Sequence, residues 1–188
     1  MNRDIRWRII TLQIVMVVVF AIGGGLAIYA GNFTHDQVTS QLAPQQIAFP
    51  ADQKSGLPAD LQQYAGQQVL NGDQAHAYAE KFIGLHLNTI GQGKPYSYWS
   101  GQAMQATDAA KKAQLNATAD TLFKGTTLRT MLNQAWAFWT VGDIAMYAGY
   151  AFIAGALVVL GTLLFEAFFA TKKATEPVKM GTVPASIS

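Results

Sequence analysis

Apolar residues fall into two blocks separated by a polar middle. The first block, Ile9–Gly31, runs for 23 residues without a charged side chain. An α-helix of that length spans about 34 Å, enough to cross a hydrocarbon core of about 30 Å. Gln13, near its N-terminal end, is the one strongly polar side chain in the run. Arg3, Arg6 and Arg8 precede it like the basic region of a signal peptide, and Ala30 could serve as a weak cleavage residue. The run is nevertheless longer than the about 7–15 apolar residues of such a peptide. It is read as a membrane anchor.

The second block, Val141–Ala170, carries Asp143 at its start and Glu166 at its end. Between them Ile144–Phe165 gives 22 residues without a charge, which again suffices for a crossing. Trp136, Trp139, Tyr147 and Tyr150 mark its outer edge, where amphipathic rings favour the headgroup layer. Three arginines precede the first span, and Lys172, Lys173 and Lys179 follow the second. Positive flanks stay on the cytoplasmic side. The expected layout is a cytoplasmic N-terminus at 1–8, a span at 9–31, an extracytoplasmic region at 32–140, a span at 141–170 and a cytoplasmic tail at 171–188. A two-pass, N-in and C-in membrane protein is expected.

Within the exported middle, Asn32–Pro58 is rich in Gln, Pro and Ala and shows little helical periodicity. Pro44, Pro50 and Pro58 each disfavour helix at the residue before them. An extended, partly irregular lead-in is expected, with Val38, Leu42, Ile47 and Phe49 as isolated anchors. After Asn71 or Asp73 as N-cap, the spacing of Ala75, Tyr78, Ala79, Phe82, Ile83, His86 and Ile90 predicts a helix that stops at Gly91, Gly93 and Pro95. A second helix is expected over Trp99–Phe123, with alanines 103, 106, 110, 113 and 117 along one narrow face. From Thr126 the apolar spacing stays in phase into the second span with no intervening proline, so Thr126–Ala170 should be one long helix of about 65 Å. The fold class is thus an all-α membrane protein: two transmembrane helices with an intervening, mainly helical extracytoplasmic domain and an extended lead-in. The tail Thr175–Ser188 should be a flexible extension.

Composition narrows the functional classes. Of the 188 residues, 51% are hydrophobic and only 13% charged, about half the share usual in soluble domains. A net charge of +2, with no basic stripe interleaved with aromatics, gives no reason to expect a nucleic-acid partner. With no cysteine, disulfides, iron–sulfur clusters and thiolate zinc sites are excluded. The exported region, alanine-rich and without a cross-link, has a thin set of large apolar anchors, so a partner is expected to stabilise it.

Catalytic and cofactor patterns are sparse. The histidines are His35, His76 and His86. His76 and Glu80 lie four apart on one helix and could present two ligands on one face, but no third ligand follows at a metal-binding spacing. His86 falls on the apolar side of that helix and reads as a partly buried, hydrogen-bonded histidine. Neither span contains a histidine to ligate haem, and there is no Gly-x-Ser-x-Gly elbow. No catalytic residue, metal or cofactor is therefore expected. Intramembrane polar groups are functional suspects, and here they are Gln13 and Glu166, expected to lie at similar depth and to pair with each other or with a partner. Small residues give the clearest membrane signal. Ala21, Gly23, Gly25 and Ala27 in the first span, with Ala145, Gly149, Ala151 and Gly155 in the second, form small-xxx-small pairs that let helices pack closely.

The segments QLAPQQIAFP (41–50), QYAGQQV (63–69) and AYAEKFI (77–83) resemble small two-span membrane proteins of actinobacteria, a resemblance that covers most of Arg6–Lys173. Some of these are similar to accessory factors of the cytochrome bc–cytochrome c oxidase supercomplex. The resemblance implies a non-catalytic structural subunit among integral membrane partners, including cytochrome bc and oxidase subunits, and lipids. Two further classes stand beside it: a self-standing sensor or binding protein, and a homo-oligomeric transport subunit.

The basic flanks generate a topology prediction. A cysteine placed at Gln92 in this cysteine-free chain should react with an impermeant maleimide added to intact cells. Labelling only after the inner face is opened would invert the topology.

Overall fold

Each apolar run lies inside a helix much longer than itself. Residues 3–173 are described by the computed structural model, with side-chain surroundings described for 5–168. Lys179 and the expected tail at 175–188 lie outside the described residues. Helix α1 is Arg3–Leu42, α2 is Gly72–Ala77, α3 is Gly84–Ile90, α4 is Tyr96–Gln105 and α5 is Ala109–Lys173. Short 3-10 helices occupy Ala43–Gln45 and Ala59–Tyr64, and a π-helical segment, Tyr78–Ile83, joins α2 to α3. The chain divides into two compact units, one from Met1–Ala27 with Ala148–Ser188 and one from Ile28–Tyr147.

In the first unit α1 and α5 are long and apolar enough to cross a bilayer, and only 6% of the most apolar window of each is buried. Val19, Ile22, Leu157 and Val158 are each more than half exposed. A contiguous apolar surface of this kind needs lipid or protein against it. The helices meet at Gly24, where a Cβ would come 2.9 Å from the Gly149 carbonyl oxygen and the Ile153 side chain. Phe20 tilts against Phe152 with ring centroids 5.7 Å apart and closes over Gly155.

The second unit has a single apolar core drawn from every kind of segment. Val38 and Leu42 of α1, Phe49, Leu57, Leu61 and Val69 of the connecting chain, Ala75, Ala79 and Ile83 of the α2–π stretch, and Leu132 of α5 are all buried together. The lead-in is therefore neither uniformly extended nor isolated. Its first eleven residues, Asn32–Leu42, continue α1, because Pro44 disfavours α-helix only at the residue before it, Ala43. The remainder folds back on itself. Val69 N donates to Ile47 O at 2.8 Å and Phe49 N to Gln67 O at 2.9 Å, an antiparallel bridge that turns Phe49 inward. There Phe49 stacks on Tyr64 and meets Tyr78 edge-on.

Asn71 is the N-cap of α2, its Oδ1 accepting from Gln74 N at 2.9 Å. Ala75, Ala79 and Ile83 recur every fourth residue, and each such step in an α-helix overshoots a full turn by about 40°. The wider i→i+5 turn over Tyr78–Ile83 absorbs that drift and keeps all three on the core. The expected second helix over Trp99–Phe123 is two helices. Ala106 is extended (ψ 126°), and Asp108 Oδ1 accepts from Lys111 N at 2.7 Å. That acceptor starts a new helix. The long helix expected from Thr126 consequently begins seventeen residues earlier, at Ala109.

Leu61, at 1% exposure, is a large and almost fully enclosed side chain of the folded-back loop. Leu61→Ala should destabilise the second unit by about 2–5 kcal/mol. Leu85→Ala, on an exposed side chain, should change stability by no more than about 0.5 kcal/mol. Denaturant unfolding followed by tryptophan fluorescence measures both.

Candidate functional site

His35, His76 and Glu80 of the second unit meet α5 between Arg129 and Asp143. His35, on α1, inserts its ring against Gly142, where a Cβ would come 2.7 Å from His35 Cδ2. Gly31 gives the same clearance one turn earlier, its missing Cβ facing the Gly142 carbonyl oxygen at 2.6 Å. The imidazole stacks flat on Trp139, centroids 3.7 Å apart and 3° from parallel. Its Nε2 faces two acceptors, Trp139 O at 3.1 Å and Asp143 Oδ1 at 3.2 Å. Since neither can donate, Nε2 carries the hydrogen. On its far side Trp139 packs against Gly72, where no side chain would fit. Trp139 is thereby held between α1 and the start of α2, and is not an indole free in the headgroup layer.

A second histidine repeats the device one turn up α5. His76 stacks on Trp136 with centroids 4.2 Å apart and donates from Nδ1 to Asn133 Oδ1 at 3.0 Å. Asn133 Nδ2 in turn donates to Glu80 Oε1 at 2.5 Å. Arg129 completes the chain, with Nε donating to Glu80 Oε1 at 3.1 Å and Nη2 to Glu80 Oε2. The Arg129 and Asn133 donors, with smaller contributions from the charges of Arg129 and His76, hold the Glu80 carboxyl below its ordinary value against the opposing effect of burial. His76 and Glu80 do share a helix face, as their spacing suggests, but that face is committed to α5. His86 is exposed, not partly buried, and bonds Phe82 O in the preceding π-helical segment at 2.8 Å. Among the described residues, no group of three or more His, Asp or Glu side chains is arranged to hold a metal ion.

Gln13 Oε1 is buried without a hydrogen-bond partner, and no bond joins Gln13 to the half-buried Glu166 among the described residues. Of the small residues, Gly149 and Gly155 lie on the α1–α5 contact, whereas Gly23 and Gly25 would meet nothing within 4 Å. Ala21 and Ala151 are exposed, and Ala27 and Ala145 are half-buried. The backbones come close at Gly24, outside the small-xxx-small pairs, and at Gly31 and Gly142, of which Gly31 also closes an Ala27-xxx-Gly31 pair. Their signal was steric and needed the partner helix to be visible.

Beside this seam, α1 and α5 leave an open groove of about 840 Å³, within the range of about 300–1,000 Å³ usual for small-molecule sites. Phe33, Val38 and Leu42 form one wall and Leu128, Met131 and Phe138 the other, with Ile47 and Leu132 between. Gln37, Gln41, Gln45 and Gln134 supply the main polar groups, and no charged side chain lines it. The chain matches no protein-family model, no characterised protein and no solved structure.

Because the Glu80 carboxyl sits below its ordinary value near 4.5, it stabilises the fold fully above that value, and the contribution fades as pH falls through it. Stability of the wild type should therefore decline between about pH 6 and about pH 3.5 more steeply than that of Glu80→Gln. Thermal unfolding of both proteins across that window gives the comparison; equal slopes would mean that the carboxylate contributes nothing.

Proposed function

We propose that this chain is a non-catalytic accessory subunit of a larger assembly in the membrane, spanning it twice with both ends cytoplasmic. The observation that carries the reading is the Ala21–Gly25 face of α1. Both positions are exposed, and a Cβ at Gly25 would meet nothing within 4 Å. The hairpin is closed through Gly24 instead. An i, i+4 pair of small residues off that contact lets a further helix approach the backbone closely, which is the main source of packing energy within lipid. The titratable side chains of the second unit favour the same conclusion. His35, His76, Glu80 and Arg129 are bound to one another's neighbours in arrangements that join helices. By resemblance, the partners are cytochrome bc and cytochrome c oxidase subunits of an actinobacterial respiratory supercomplex.

The groove favours a second reading, a self-standing membrane-anchored binding protein. Isolation from native membranes in a mild detergent separates the two. An accessory subunit should co-purify with other integral membrane proteins, haem-bearing ones if the respiratory assignment is correct. Gly25→Leu should weaken that association roughly tenfold, the equivalent of about 1.4 kcal/mol, while leaving the fold intact. Recovery of wild-type protein alone, as a stable monomer, would sink the accessory-subunit reading.

A further inference from the structure

The groove between α1 and α5 is lined by apolar side chains, glutamine amides and the hydroxyls of Thr34 and Ser40, with no charged side chain. Its walls are the continuations of the two helices that carry the apolar runs. Phe33 lies two residues beyond Gly31, and Phe138 three residues before Val141. From Phe33 to Leu42 the α1 wall rises about 14 Å. Four of its apolar lining residues, Phe33, Leu128, Met131 and Phe138, are between 38% and 61% exposed. A water-filled groove would leave all four wetted, at an unfavourable free energy that hydrocarbon contact removes.

We infer that this groove holds the hydrocarbon chain of a neutral membrane lipid, with the lipid's uncharged head hydrogen-bonded by the glutamine amides. Three observations select that occupant. The walls belong to the same two continuous helices that carry the apolar runs. The lining offers no cation to neutralise a phosphate and no anion for an amine, and an unpaired ionic head drawn against it would be desolvated without compensation. Gln37, Gln41 and Gln45 all line the groove, and each amide both donates and accepts, which suits hydroxyl and ester groups. The inference rests on the two-span reading but not on the accessory-subunit assignment.

The test uses the full-length protein in phosphatidylcholine vesicles containing a diacylglycerol with a photoreactive diazirine at the end of one acyl chain. Irradiation and peptide mapping should place label in two populations. Labelling of peptides from Ile9–Gly31 reports ordinary lipid contact, and excess unlabelled diacylglycerol will hardly displace it. Labelling within 33–47 and 128–138 should be displaced by unlabelled diacylglycerol but not by phosphatidylglycerol of the same chain length. Met131→Glu places a charge at an exposed position on the groove wall, where the fold should tolerate it, and should lower groove labelling roughly tenfold or more without altering span labelling. Gln41→Leu should keep the chain bound and remove the preference over phosphatidylglycerol. Span labelling without displaceable groove labelling would overturn the inference while leaving the two-span reading in place. Failure to label either population would overturn both. Equal displacement by phosphatidylglycerol in the wild type would overturn the neutral-head assignment. A benzoylphenylalanine at Met131 that captures a second polypeptide in native membranes would give the groove to a protein partner instead.

Discussion

The second unit depends on one steric condition, the approach of α1 to α5 without side chains between them at Gly31 and Gly142. Once the two backbones are that close, His35 has a slot to enter, and its ring lies flat on Trp139 with Nε2 directed at Trp139 O and Asp143. A methyl group at either glycine would meet backbone or ring atoms well inside van der Waals distance. Backbone cannot swing aside as the end of a flexible side chain can, so the register of the two helices is set here.

From that contact the rest of the unit is assembled outward along α5. Trp139 offers its second face to Gly72, which fixes where α2 begins. Trp136, Asn133 and Arg129, on successive turns, receive His76 and Glu80 from the α2–π stretch. These polar bonds sit at the edge of the core and give direction more than energy, since a partly exposed ion pair contributes little. The burial that stabilises the unit comes from Phe49, Leu57, Leu61 and Val69, delivered by a chain that folds back and pairs with itself. A region that lacks disulfides and looks poor in large apolar residues thereby acquires a continuous core, because α1 and α5 contribute Val38, Leu42 and Leu132 to it. That core is larger than the apolar count of the exported region taken alone suggests.

The same two helices also present surfaces that this chain does not use. In the first unit Ala21 and Gly25 remain open beside the Gly24 contact, and the apolar side chains of both helices face outward. In the second, the groove beside the seam is apolar yet carries glutamines and no charge. Both surfaces suit an environment of lipid and neighbouring helices, and the proposed subunit role and the proposed lipid follow from different ones.

The sequence by itself determined the features that depend on composition along a single segment. Two uncharged runs of more than twenty residues make long apolar helices whatever surrounds them, and Asn71 caps its helix through a bond three residues away. Helical spacing likewise placed His76 and Glu80 on one face. It could not tell which way α1 would end, because Asn32–Leu42 has weak periodicity and is helical by continuation and by burying Val38 and Leu42 against distant chain. Nor could it show that Asp108 restarts a helix, that Gly24 rather than Gly23 or Gly25 meets α5, or that the tryptophans are claimed by histidines. Each of those outcomes was decided by contacts far apart in the chain, 60 residues for His76 and Trp136 and 125 for Gly24 and Gly149, or by a local competition between two helix registers. Packing resolves such choices through steric fit and hydrogen-bond satisfaction, and neither is expressed until the tertiary structure brings the partners together.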